Sequence, residues 1–326
     1  MIKLNQNDPV SILKGMLIIR KIEEILVSEY PKQEMRCPVH FSIGQEGIAI
    51  GVSLHLNKND WVVSNHRSHA HYIAKGGNVV SFFAELYGKA EGCCAGRGGS
   101  MHLTDLGAGF LAGVPIVGSG LAIAAGVAMS QKWNKVDAIT VAYIGDAAVE
   151  SGTFHETLNF ASLHELPLLV VCENNEFSIF TPLSVRQPSN RSISDLASSH
   201  GIKTYTGNGD DVLEVSEIMQ RAKSYMLSEK KPAFIEFNTF RLLEHCGPNF
   251  DDNLGYRDQN VVESYAERDP LTKYLNELKS RKLIDENLFN TLAENTMVDI
   301  YKILEEVKLK ENAHNLTPDS VYWSKL

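Results

Sequence analysis

Two short apolar runs separated by one helix length constrain this chain more than any other feature in it. Residues 138–144, Ala-Ile-Thr-Val-Ala-Tyr-Ile, read as a strand that ends at Asp146. Residues 168–172, Leu-Leu-Val-Val-Cys, read as a second that ends at Asn174 and Asn175. Between them Phe154, Leu158 and Ala161 keep the i, i+4, i+7 spacing of one helical face, and the helix stops before Pro167. A crossover of this kind joins parallel strands, so Asp146 and Asn175 leave the sheet at the same carboxyl edge, where open α/β sheets bind ligands. A carboxylate and an amide converging there suit a hard divalent cation, which takes oxygen ligands and, as magnesium, usually shares them with a phosphate. Ordinary structure also accounts for both: Asp after a strand caps the next helix, and Asn-Asn is turn chemistry. Spacing alone leaves the two readings open.

The remaining chain repeats the pattern. Asp8-Pro9 starts a helix, an outer one by this reading, with apolar periodicity through Ile12, Leu13, Met16, Ile19, Ile22 and Leu26 up to Pro31. A loop from Arg36 to His40 leads to a helix over 45–56 and a strand over 60–64, which ends in Asn65-His66-Arg67-Ser68-His69. Residues 88–120 are glycine-rich and fit no regular element; with Phe110, Leu111, Val114, Ile116 and Val117 among them, they read as an ordered loop facing a ligand. Residues 181–194 read as surface. A strand follows over 202–206, then the turn and cap Asn208-Gly209-Asp210-Asp211, a helix over 212–229 and a strand over 233–240 that runs on toward His245. From Tyr265 the chain reads as two polar-faced helices and a C-terminal extension.

Strands alternating with helices predict an α/β fold with a doubly wound, mainly parallel sheet. No internal repeat or low-complexity linker divides residues 1–326, so one domain is the simpler count. With 44% hydrophobic residues the chain can bury a substantial core, and its five cysteines, none in a Cys-x-x-Cys pair, read as reduced thiols. The net charge of -9 argues against nucleic acid or an anionic membrane as the main partner. The first nine residues hold no apolar signal core and no run approaches the roughly 20 residues that span a bilayer, so the expected location is the cytoplasm.

Four strand ends carry polar groups: Arg67, Asp146, Asn175 and His245. If those strands are parallel neighbours, an arginine and histidines face a metal-ligand pair across one edge, as in a clamp for a diphosphate. Taken singly, His40, His66, His69 and His245 each read more readily as surface or capped histidines, and Arg67 reads as well as half of a surface ion pair. Their recurrence at strand ends favours the site.

The run from Gly145-Asp146-Ala147 to Asn175 resembles the thiamine diphosphate motif, which begins Gly-Asp-Gly and closes with Asn-Asn. Collinear blocks extend the resemblance over about residues 10–310: His40-Phe41-Ser42-Ile43-Gly44-Gln45-Glu46, His66-Arg67-Ser68-His69, Gly96-Arg97-Gly98-Gly99-Ser100-Met101-His102, Pro115-Ile116-Val117-Gly118, Glu173-Asn174-Asn175, and Thr239-Phe240-Arg241 with His245. Together they are similar to the alpha subunit of the decarboxylating component of 2-oxo acid dehydrogenases, the pyruvate, acetoin and branched-chain group.

The resemblance implies thiamine diphosphate and magnesium as cofactors, with Asp146, Asn175 and the carbonyl of Phe177 on the metal. It implies Arg67, His245 and His40 at the diphosphate, the two histidines in catalytic contact, and His66 where the family often has a tyrosine. Gly145, Ala147 and Ala148 would border the cofactor, and the carbonyl of Pro115 with the amide of Val117 would hold its aminopyrimidine ring. It further implies a 2-oxo acid substrate, a beta subunit that supplies the activating glutamate in an alpha2-beta2 assembly, and a lipoyl acyltransferase as acceptor. The chain alone would be inactive. Ala147 replaces the last glycine of the motif, where a positive φ would suit glycine better. Cys246 stands where the mitochondrial pyruvate enzyme has a regulated serine, so kinase control of that type is not implied. Carboligation to another carbonyl uses the same residues, and a degenerate structural subunit is a further alternative. A nucleotide-binding module would need Gly-x-Gly-x-x-Gly or Gly-Lys-Ser/Thr after a strand, and neither is in place.

Overall fold

The computed structural model describes residues 4–35 and 37–313; Met1 to Lys3, Arg36 and the expected C-terminal extension beyond Ala313 lie outside them. The amino-terminal part contains α1 (Pro9–Glu29), α2 (Glu46–Ser53), β1 (Trp61–Ser64), α3 (His69–Ala74), α4 (Val79–Leu86), β2 (Phe110–Gly113) and α5 (Ser119–Trp133). The central part contains β3 (Thr140–Gly145), α6 (Gly152–Leu163), β4 (Leu168–Asn174), the ribbon strands β5 (Phe177–Ser178) and β6 (Thr181–Pro182), α7 (Leu183–Arg186) and α8 (Ile193–Ser198). Then come β7 (Lys203–Asn208), α9 (Val212–Glu229), β8 (Ala233–Asn238), α10 (Gln259–Arg268), α11 (Pro270–Ser280) and α12 (Glu286–Lys308).

Six strands form one sheet in the order β2-β1-β3-β4-β8-β7, and every pairing is parallel. Alternation along the central strands makes it doubly wound. Val141, Tyr143, Leu169 and Val171 join the core under α1, α2 and α9. Ala142, Ile144, Leu168, Val170 and Cys172 join the opposite core under α5 and α6. Strands buried on both faces read as the unbroken apolar runs seen in the sequence. The predicted helix face of Phe154, Leu158 and Ala161 is fully buried. From β1 the chain moves outward to β2, whereas from β3 it moves the other way to β4, so the strand order reverses between β1 and β3. A crevice opens at such a switch point.

Two expectations need correction. Phe110–Gly113, within the stretch expected to be loop, is the parallel edge strand β2; it is defined by its pairing with Val62, Val63 and Ser64. Helix α1 is not an outer helix: α11 and α12 cover it, and Leu13, Met16, Leu17, Ile19 and Ile22 are wholly buried. Past the end of α10, the tail from Tyr265 forms the two expected helices, α11 and α12, and α11 buries Leu271, Tyr274, Leu275 and Leu278 against the core. Among the described residues no helix is long and apolar enough to cross a membrane.

Candidate active site

All twelve residues expected at the site line one cavity of about 260 Å³ at the switch point: His40, His66, Arg67, Pro115, Val117, Gly145, Asp146, Ala147, Ala148, Asn175, Phe177 and His245. They come from six separate loops, each at or near the carboxyl end of a strand except the one that carries His40.

The oxygen donors form one corner. Asp146 follows β3 and opens a 3-10 turn, Asp146–Glu150; its side chain is buried. Asn174 ends β4, and it and Asn175 close two overlapping turns. Asn174 Oδ1 accepts from the Glu176 amide at 3.0 Å, and Asn175 Oδ1 accepts from the Phe177 amide at 3.2 Å. These bonds fix the amide of Asn175 and the carbonyl end of Phe177 beside Asp146 in the cavity. Arg186, the last residue of α7, ion-pairs with Asp146 and reaches Glu150 at 2.5 Å. Burial pushes the Asp146 carboxyl up, and the guanidinium pulls it back down. The corner thus pairs a buried carboxylate with one positive charge, that of Arg186. The stretch over 181–194, expected to be surface, is mostly exposed or half-buried, but it also delivers the half-buried Arg186 and the buried Gln187.

Nitrogen donors form the opposite corner. The rings of His40 and His66 lie 4.6 Å apart, His40 and His245 5.0 Å, and His66 and His245 5.3 Å, centroid to centroid. Arg67 is buried behind them; its Nη1 donates to the Phe41 carbonyl and its Nη2 to the His245 carbonyl at 3.0 Å, which ties the loops of His40 and His245 to β1. Burial, Arg67 and neighbouring imidazoles disfavour the imidazolium form, so His40 falls to about 2, His66 to about 3 and His245 to about 4. Burial and nearby Arg241 also lower Arg67, to about 10, which leaves it charged at neutral pH. The corner is one fixed positive charge and three neutral imidazoles facing a cleft, a receptor for an anion. His40 Nδ1 is buried without a hydrogen-bond partner.

A third wall runs over Pro115 to Gly118. Gly118 has φ of +84° and caps α5, and a Cβ there would sit 2.6 Å from Ser151 Oγ, so only glycine fits. The turn leaves Ile116 and Val117 72% and 56% exposed at the cavity mouth. Ala147 lies within the 3-10 turn and is not among the positive-φ residues, so its methyl group imposes no backbone strain.

Sequence reasoning missed the floor. Glu173 Oε1 meets His71 Nε2 at 3.0 Å, His71 Nδ1 meets Ser64 Oγ at 2.8 Å, and the His71 ring stacks on Tyr143. No periodicity in the sequence links residues 64, 71, 143 and 173, though Glu173 stands in the motif. His69, the ambiguous neighbour of Arg67, is structural: it bridges Glu23 on α1 and Ser100 at 2.9 and 2.7 Å and is fully buried. The glycine-rich loop is held by buried Glu85, whose two carboxylate oxygens accept from the amides of Cys94, Gly96, Gly98 and Gly99.

A family model described as the dehydrogenase E1 component matches residues 14–316. The chain is 34% identical over 331 residues to the alpha subunit of the pyruvate dehydrogenase E1 component of Rickettsia bellii (strain RML369-C), covering 98% of each protein. It is 32% identical to the alpha subunit of acetoin:2,6-dichlorophenolindophenol oxidoreductase of Bacillus subtilis (strain 168), covering 98% of this chain and 92% of that one. A chloroplastic pyruvate dehydrogenase E1 alpha subunit of Arabidopsis thaliana is 33% identical, covering 86% of this chain and 66% of its own length.

Proposed function

This chain belongs to the dehydrogenase E1 component family, and from that premise we propose how its residues serve a thiamine diphosphate-dependent decarboxylation of a 2-oxo acid. It is the alpha subunit of a heteromeric enzyme and works with a beta subunit. When bound, the cofactor supplies the carbon nucleophile and the electron sink for loss of carbon dioxide. The chain's own work is to hold that cofactor.

The observation that carries the assignment is the meeting of an oxygen-donor corner and a cationic corner across one cavity at the sheet's switch point. Asp146, Asn175 and the Phe177 carbonyl hold magnesium. Arg67, His66, His40 and His245 take the diphosphate oxygens, with His40 and His245 in direct catalytic contact, and the unpartnered Nδ1 of His40 gains a partner there. Gly145, Ala147 and Ala148 line the diphosphate path through their backbone. The Pro115 carbonyl and the Val117 amide orient the aminopyrimidine ring, a role that proline allows because it keeps its carbonyl. The whole chain forms one cofactor-binding domain.

The acyl unit passes to a lipoyl carrier, the assembly is alpha2-beta2, and the setting is the cytoplasm, in keeping with the bacterial relatives. The test is thermal unfolding of the alpha-beta complex: thiamine diphosphate with magnesium raises Tm, and Asp146→Ala removes the rise. An unchanged rise in the variant overturns the metal assignment. Acylation of a lipoyl domain by a 2-oxo acid checks the acceptor; products of carboligation alone would replace it.

A further inference from the structure

Two corners of one cavity carry different donor chemistry, and only the oxygen corner suits magnesium. We propose that in the cofactor-free cavity His40, His66 and His245 form a site for a d-block divalent cation such as zinc. One ring nitrogen from each residue lies within 4.8 Å of those of the other two. Zn–N bonds of about 2.0–2.1 Å set tetrahedral N···N separations of about 3.4 Å, so ring rotations closing at most about 1.4 Å complete three ligands. His40 is 7% exposed and its Nδ1 has no partner, a ring nitrogen kept from water without compensation.

Imidazole is a zinc, copper or nickel ligand and a poor one for magnesium, so the cavity sorts two classes of cation between its corners. The Arg67 guanidinium beside the trio is tied to the carbonyls of Phe41 and His245 and favours an anion, hydroxide or chloride, in the fourth position. By contrast the cluster of Glu85, Cys93 and Cys94 is no such site, because four backbone amides fill the Glu85 oxygens. One consequence rests on the proposed cofactor reading: the imidazoles cannot serve a metal and the diphosphate at once, so zinc and cofactor exclude each other.

The test uses the purified alpha-beta complex stripped of cofactor and titrated with Co²⁺, whose visible absorption reports nitrogen ligation. One equivalent per alpha chain, displaced by Zn²⁺ and untouched by excess Mg²⁺, is the expected result. His66→Tyr and His40→Gln each weaken the site by more than the roughly 10–100-fold that loss of a mere outer-shell partner costs. A Cys93→Ala, Cys94→Ala double variant keeps the full signal. Absence of the band, or its loss in the cysteine variant, overturns the site, and circular dichroism of each variant shows that the fold is intact. Thiamine diphosphate with magnesium should abolish the band; persistence of the band with cofactor bound overturns the exclusion. A cobalt site in a complex that never binds cofactor supports the site and overturns only the cofactor reading.

Discussion

Ala147 stands one residue past the buried carboxylate, where the related motif ends in glycine. The 3-10 turn of Asp146–Glu150 keeps its φ out of the left-handed region, and no Cβ conflict arises at Gly145 beside it. The methyl group is therefore neutral to the backbone, and Ala147→Gly should leave cofactor affinity within a few-fold while lowering stability by about 0.5–1 kcal/mol from added unfolded-state freedom. Calorimetric titration and denaturant unfolding check this; a large gain in affinity would show that the alanine had been an obstacle. The three imidazoles give a second prediction. Their folded pKa values, about 2, 3 and 4, lie below the usual 6.5, so between pH 6.5 and about 4 the unfolded chain binds more protons than the folded one. Stability is thus highest above pH 6.5 and falls as pH drops through that window. Tm should decrease from pH 7 to pH 5, and His66→Asn should make the decrease shallower. A diphosphate in the cleft favours the protonated rings, so it should flatten the curve as well. A Tm independent of pH over that range would contradict the buried, neutral state of the trio.

The ribbon of β5 and β6 and the single turn of α7 exist to place two groups, the Phe177 carbonyl end and Arg186. Because Arg186 balances a carboxylate that is itself buried, a metal ion entering beside Asp146 must displace it, and Glu150 remains to receive it. Arg186→Gln should lower the Tm of the cofactor-free protein, since a buried charge loses its partner, and should tighten metal binding by roughly tenfold for each ~1.4 kcal/mol no longer spent on breaking the pair. Titration with Mn²⁺ in the presence of thiamine diphosphate measures it; weaker binding would mean that Arg186 assists the metal instead. This element also marks the limit of what the sequence discloses. The helix Val212–Glu229 was legible to the residue because Asp211 caps it and Pro232 follows it, both local signals. Strands β3 and β4 were legible because burial on both faces writes a continuous apolar run. Nothing local marks β2, whose four residues become a strand by pairing with β1, or Arg186, whose partner is 40 positions away and chosen by tertiary structure. The twelve residues expected at the site were named for a different reason: all but Ala148 and Phe177 belong to short blocks whose order resembles that of the family, while the supporting His71 and Glu85 lie outside those blocks.

Across the whole molecule, the two buried cores seal both faces of the sheet but leave its carboxyl edge open, and the opening is rimmed with apolar side chains. Ile116 is 72% exposed, Val117 56%, Phe180 51% and Ile179 47%, and three of the four also line the cavity. Large aliphatic and aromatic groups held in water around a polar cleft mark a surface that another chain covers. The beta subunit that the family requires fits this place, because closing the mouth both buries the rim and excludes water from the site. A rim this exposed contributes little to the stability of the alpha chain itself. Ile116→Asp and Phe180→Asp, tested separately, should each leave the unfolding free energy of the isolated alpha chain within about 0.5 kcal/mol of wild type, as expected for exposed positions. In the complex each places a charge at a desolvated position and should weaken association by at least ~2 kcal/mol, roughly thirtyfold. Sedimentation of the two chains over a concentration series reads the loss of assembly. If the variants assemble normally, the partner covers some other face, and the exposed rim would require a different explanation. If they unfold the alpha chain, the rim is part of its core after all and the separation between folding and assembly drawn from its exposure fails.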